Sequence, residues 1–202
     1  KTDRQGFLPA IMQQFYDDRV KYKNLLMKSK NLLLKEPTNR KIQNDIAKYD
    51  NIQMAKKIQL NSAYGALANE YFRFYDVKLA EAITLSGQLA IRWIENSLDS
   101  YFNKLFKTED EQFVIAADTD SVYLRLGKLV DSTFDKQTDS ETIVKFLDKV
   151  CTEHLEPFIK EKYLDLKKYL NSFMQRMEMT REVIADKGIW TSKKRYILNV
   201  HD

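Results

Sequence analysis

Two groups of residues have types and spacings that suit chemistry. Asp118-Thr119-Asp120 sets two carboxylates at i and i+2, directly after the apolar run Phe113-Val114-Ile115-Ala116-Ala117. Like charges this close repel, and neither stands at a helix N-terminus, so a structural role explains them poorly. Hard oxygen ligands at the end of a strand are one way to hold Mg²⁺ against phosphate groups. The plainer alternative is an ordinary acidic turn. The second group is cationic. Arg19 and Lys23 lie four apart on one helix face, beside the apolar line through Phe15, Tyr22 and Leu26, where a charge needs a partner. Lys57 is followed at i+4 and i+7 by Asn61 and Tyr64. Arginine for bidentate oxygen contacts and lysine as a point charge together suit a triphosphate. Snorkelling side chains on an amphipathic helix pair are the alternative.

The elements that must position these residues can be read from periodicity. Apolar residues at helical spacing predict one helix over residues 9–35, with Pro9 tolerated in its first turn. Glu36-Pro37-Thr38-Asn39 predicts a turn. Ile42, Ile46, Tyr49, Leu60, Tyr64 and Leu67 predict a second helix over 40–67. A short loop between two helices implies an antiparallel hairpin, with arms roughly 40 Å long. In that arrangement Arg19 faces about residue 55 and Lys23 about residue 51, which brings Lys57 within roughly one helical turn of Arg19.

A third helix is expected over 77–106, buried along Ala82-Ile83-Thr84-Leu85-Ser86-Gly87-Gln88-Leu89-Ala90-Ile91-Arg92-Trp93-Ile94. Residues 113–126 read as a β-hairpin with the two carboxylates at its bend. Helix returns over 140–170, with a break near Pro157. Residues 173–200 read as two more strands around Asp186-Lys187-Gly188. No internal repeat and no low-complexity tract interrupts this order.

Composition narrows the class. The chain has 202 residues, 44% hydrophobic, 31% charged and 12% aromatic, which fits a globular protein and not a disordered one. No apolar run is long enough for a transmembrane helix, so a membrane partner is not expected. With its single cysteine, Cys151, the chain can form no internal disulfide, and no Cys/His cluster suits zinc. Reducing cytoplasm is the expected compartment. Net charge is +4, yet residues 1–60 carry 13 basic against 6 acidic side chains. A basic first third favours an anionic ligand. The chain starts without Met or a signal segment and is expected to be a piece of a longer one.

An Asp-x-Asp run alone is ambiguous. Haloacid dehalogenase phosphatases use one with the first Asp as nucleophile, but a loop and helix follow it there. Here Ser121-Val122-Tyr123-Leu124 continues as a strand, which disfavours that reading. Metal-dependent glycosyltransferases remain a remote alternative.

The ordered set is more specific. Lys57-Ile58-Gln59-Leu60-Asn61-Ser62-Ala63-Tyr64-Gly65 resembles the KxxxNSxYG motif of B-family DNA polymerases. Asp118-Thr119-Asp120-Ser121 resembles their DTDS motif, and Lys194-Arg195-Tyr196 their KxY motif. Arg19 and Lys23 stand where the family has cations on the preceding helix. Within the family the chain looks most like polymerases of large tailed bacteriophages, and the resemblance covers essentially its whole length.

The resemblance implies an α+β fold: a long antiparallel helical hairpin, the fingers, over 1–67, then a partial palm over 68–202 with an antiparallel β-sheet and packed helices. It implies that Arg19, Lys23 and Lys57 contact the phosphates of an incoming dNTP with Asn61 beside them. Tyr64 and Gly65 would pack near the new base pair. Asp120 would be the direct metal ligand, Asp118 a second carboxylate, and Glu182 an accessory one. Lys194 and Tyr196 would lie at the primer terminus. Cofactors implied are two Mg²⁺ ions, for which Mn²⁺ can substitute. Partners implied are primer-template DNA and dNTP, in the cytoplasm of a bacterial host.

Two departures bear on activity. The family has Tyr-Gly before DTDS, and this chain has Ala116-Ala117. The family's other metal-binding Asp lies in an upstream DxxSLYP motif that is absent here, as are the exonuclease motifs. The chain alone is therefore expected to hold half an active site and to be inactive without an upstream segment bearing that Asp. A sliding clamp would be met through a C-terminal part outside this chain. The alternative from another class is a non-catalytic nucleotide- or nucleic-acid-binding module.

Overall fold

A computed structural model describes residues 3–135 and 137–202. The chain divides into two compact units, Lys1–Thr84 and Leu85–Asp202.

In the first unit, α1 (Phe7–Lys35) and α2 (Arg40–Leu67) form an antiparallel hairpin. Pro9 falls in the first turn of α1, where backbone N–H groups lack intrahelical acceptors anyway. The connection is held by Asn39. Its Oδ1 accepts from the N–H groups of Lys41 at 3.1 Å and Ile42 at 3.4 Å, capping α2. Its Nδ2 donates to Glu36 Oε2 at 2.6 Å. The arms register through Tyr22 and Tyr49, whose ring centroids are 6.0 Å apart, and through Lys56, which pairs with Asp18 at 2.8 Å and lies 4.6 Å above the Phe15 ring. Two helices enclose little, so Leu26 and Ser29 are the residues of α1 that are buried. At the other end of the hairpin Phe7 meets Phe74 at 5.4 Å. Asp76 then caps α3 (Val77–Phe106), accepting from Leu79 N–H at 3.1 Å.

In the second unit, α3 buries Ala90, Ile94, Leu98 and Phe102, recurring every four residues. Facing them in one core are Phe113, Val114, Leu155, Ile159, Tyr163 and Leu166. Each such large side chain contributes about 1.5–3 kcal/mol by leaving water. The expected burial of the earlier part of α3 is corrected: Ile83 is 46% and Leu85 54% exposed. Burial follows the neighbours a helix has, and hydropathy alone does not supply them.

The chain continues through β1 (Val114–Asp118), β2 (Ser121–Leu124), α4 (Gly127–Thr133) and α5 (Ser140–Val150). No break occurs near Pro157. Instead a π turn, Cys151–Leu155, joins α5 to α6 (Glu156–Tyr169), with Glu156 N–H donating five residues back to Cys151 C=O. Widening the helix just before proline accommodates a ring that would otherwise press on the preceding turn.

The last strands are β3 (Ala185–Ser192) and β4 (Arg195–Val200), after an irregular passage over 173–184. Their turn is Lys193-Lys194, not Asp186-Lys187-Gly188, which lies inside β3. Gly188 marks a close approach: a Cβ there would sit 2.7 Å from the Trp190 ring. The strands form two separate antiparallel pairs, β1–β2 and β3–β4, in place of one continuous sheet. The fold class is α+β, mostly helical.

Candidate functional site

The carboxylate bend is held from α3. Asp99 Oδ1 accepts from the backbone N–H groups of Phe113 at 2.8 Å and Val114 at 2.9 Å, fixing where β1 begins. Asn103 ties down the approach: its Nδ2 donates to Glu111 C=O at 2.8 Å and its Oδ1 accepts from Glu111 N–H at 3.1 Å. Phe113 is fully buried, so the strand that delivers Asp118 is anchored in the core.

Asp118 pairs with Ser121 across the hairpin, leaving Thr119 and Asp120 as the two turn residues. Thr119 has φ 55°. That region suits glycine, and a β-branched residue there is strained. Thr119 Oγ1 donates to Asp118 Oδ1 at 2.9 Å, and Asp120 N–H donates to Asp118 C=O at 2.6 Å. Strain concentrates in active sites because surrounding structure must enforce it. Among the described residues the Asp120 carboxylate has no hydrogen-bond or ion-pair partner, whereas Asp118 Oδ1 lies 4.0 Å from Lys194 Nζ.

The structure thus brings Asp118, Asp120, Lys194 and Tyr196 to one place. Tyr123 of β2 packs against Tyr196 at 5.5 Å and Trp190 at 5.3 Å. The neighbouring Tyr196 hydroxyl, and then burial, raise the Tyr123 phenol above its ordinary pKa. Burial, and secondarily the charge of Asp120, also raise Tyr163 of α6. Glu182 is exposed in the irregular passage before β3. It does not join the bend in a ligand cluster: no group of three or more His, Cys, Asp or Glu suited to a metal forms among the described residues. Two hard carboxylates on one bend fit part of the coordination sphere of a Mg²⁺-like cation and leave the remaining positions to other donors.

In the helical hairpin, Asp18–Lys56 pairing sets Arg19 and Lys57 at the same level of the two arms. Arg19 Nε is buried without a hydrogen-bond partner among the described residues. Lys23, Lys57, Asn61 and Tyr64 are exposed. Gly65 is open, with nothing within 4 Å of where a Cβ would stand.

Sequence reasoning missed Asp99, Asn103 and Arg181. Arg181 donates to Asp148 at 2.5 Å and pairs with Asp202 at 2.9 Å, tethering the open end of the β3–β4 hairpin to α5. A polar residue on an apolar helix face was the available signal for Asp99 and Asn103. Arg181 lies in no regular element and gave none.

No helix among the described residues is long and apolar enough to cross a membrane. Comparison with known proteins gives a consistent picture. The sequence pattern of DNA polymerase family B matches residues 1–202. The DNA-directed DNA polymerase of Escherichia phage RB69 is 43% identical over 159 residues, covering 74% of this chain and 18% of that protein. That of Enterobacteria phage T4 is 40% identical over the same length and shares. The DNA polymerase delta catalytic subunit of Drosophila melanogaster is 25% identical over 194 residues, covering 95% of this chain and 17% of that protein. This chain therefore spans about a fifth of the length of the relatives it matches, and it belongs to DNA polymerase family B.

Proposed function

We propose that this chain supplies the fingers, residues 1–67, and part of the palm, residues 68–202, of a phage-type replicative DNA polymerase. The reaction is template-directed attack of a primer 3′-hydroxyl on the α-phosphate of a dNTP, with pyrophosphate leaving. The observation that carries the reading is the bend itself. A strained Thr119 presents Asp120 without a partner among the described residues, beside an Asp118 faced by Lys194.

Family B polymerases use divalent metal ions. Two Mg²⁺ ions, or Mn²⁺ in their place, would supply charge neutralisation at the transferring phosphate, with Asp120 and Asp118 as this chain's ligands and Glu182 accessory. The chain's own residues bind and orient. Arg19, Lys23 and Lys57 hold the triphosphate, and the orphaned Arg19 Nε supports that role, because a buried guanidinium nitrogen without a partner is costly unless a ligand completes it. Asn61 stands on the face that Lys57 begins. Open space at Gly65 supports close approach of a base pair there, with Tyr64 alongside. Lys194 and Tyr196 steady the primer terminus. An upstream segment supplies the remaining palm carboxylate, and a C-terminal part meets the sliding clamp.

A non-catalytic nucleotide-binding module is the second reading. It is favoured by the lack of a three-carboxylate cluster among the described residues. Binding of a fluorescent dNTP, competed by pyrophosphate, tests the triphosphate site common to both readings. Affinity should fall in Arg19→Met, Lys23→Ala and Lys57→Ala, and stay unchanged in Lys145→Ala, an exposed lysine of α5. Binding indifferent to the first three removes the hairpin from the account. Turnover dependent on Asp120 then separates polymerase from module.

A further inference from the structure

The β3–β4 hairpin is a ribbon with almost no buried residues, yet it delivers Lys194 to Asp118. No backbone ladder joins it to β1–β2, so side chains hold the two hairpins together. At the open end Arg181 bridges Asp148 and Asp202. At the turn end the contact is aromatic: Trp190 meets Tyr123 edge-on at 5.3 Å and 79°, while also lying 6.3 Å from Tyr196. Trp190 and Tyr196 are partners across the ladder and therefore share a face.

We propose that Trp190, laid across Gly188, is the positioning residue that sets the β3–β4 turn against the β1–β2 bend and thereby places Lys194 on Asp118. Gly188 is part of the device. A Cβ at 188 would stand 2.7 Å from Cη2 and Cζ3 of the indole and 2.8 Å from Leu198 Cδ2, so the ring occupies the volume a side chain would take. An indole is rigid and must tilt as a unit, and it also packs against the Tyr123 ring. A register shift between Trp190 and Ser192 then kinks β3 immediately before Lys193-Lys194. Such an irregularity re-aims the residues beyond it. The indole therefore fixes the ribbon at the last point before the kink and sets the direction of Lys194. Tyr196, on the strand after the turn, also packs on Tyr123 at 5.5 Å and steadies the same junction from β4.

This role rests on the reading of Asp118 as part of the nucleotidyl-transfer site, but its test needs no DNA, dNTP or metal. A water-soluble carbodiimide joins a lysine to a carboxylate in direct contact, and the Lys194–Asp118 crosslink can be quantified by peptide mass spectrometry. Yield is normalised to the Lys56–Asp18 crosslink of the helical hairpin, a pair at 2.8 Å. Trp190→Ala and Gly188→Ala should each lower the Lys194–Asp118 yield about fivefold, while Trp190→Phe keeps most of it. Circular dichroism reports that each variant is folded. A crosslink unchanged in both Trp190→Ala and Gly188→Ala, or absent from the unaltered chain, overturns the proposal. So does loss in Trp190→Phe equal to that in Trp190→Ala. Any of these results leaves the catalytic reading to be judged by primer extension.

Discussion

Lys194 Nζ stands 4.0 Å from Asp118 Oδ1, and the turns carrying these residues are both held at positive φ by a residue other than glycine, Lys194 at 64° and Thr119 at 55°. Glycine is the cheaper residue at such a φ. Lys194→Gly should relieve about 1 kcal/mol of backbone strain, more than a pair this exposed contributes. The urea midpoint should therefore rise while primer extension in the mixture with the upstream segment falls. A midpoint that drops would mean the ion pair outweighs the strain.

Asp99 is the support beneath the bend. Asp99→Ala leaves two part-buried N–H groups, those of Phe113 and Val114, without their acceptor. The expected loss is about 2–4 kcal/mol in urea unfolding, with Asp99→Asn recovering part of it. Backbone amide signals of residues 113–121 should shift first, since the bend is the part that Asp99 holds.

The hairpin junction should be sensitive to alkali. Tyr123 has its pKa raised above the ordinary 10.0, first by the Tyr196 hydroxyl and then by burial. The folded chain thus holds this proton more tightly than the unfolded one. The stabilisation is fully present below about pH 10 and fades as pH rises through the folded value. Tyr196→Phe should lower the Tyr123 midpoint without returning it fully, because burial remains. Isotope-labelled tyrosine NMR reads this directly.

Arg19 separates ligand binding from folding. Removing a buried Nε that has no partner among the described residues costs the fold little, so Arg19→Met should leave the urea midpoint unchanged or slightly higher. Affinity for dNTP should fall about tenfold or more, the worth of a charge-assisted contact. A large stability loss with unchanged affinity would make Arg19 structural.

Much of this arrangement was legible in the sequence because it is local. Helical periodicity and the Glu36-Pro37-Thr38-Asn39 turn signal define α1 and α2, and a polar bend between β-branched flanks defines β1–β2. The features that escaped depend on neighbours. Ile83 and Leu85 look like core by hydropathy, but burial needs something on the other side. Gly188 reads as a turn, and only the ring of Trp190 two residues on shows why glycine is there. Pro157 reads as a break, yet a π turn absorbs it. Among the site residues, chemistry and motif order pointed to Asp118, Asp120, Lys194 and Tyr196. The hydrogen bonds from Asp99 and the tether through Arg181 join residues far apart in sequence and obey no spacing rule.

The most direct test is primer extension with dNTPs and Mg²⁺ or Mn²⁺. The chain is assayed alone and mixed with a polymerase segment carrying the upstream palm Asp motif, with Asp120→Asn as control. The account predicts extension in the mixture, none from either part alone, and loss in the control. Extension that survives Asp120→Asn would contradict the central claim that this bend carries the catalytic carboxylate.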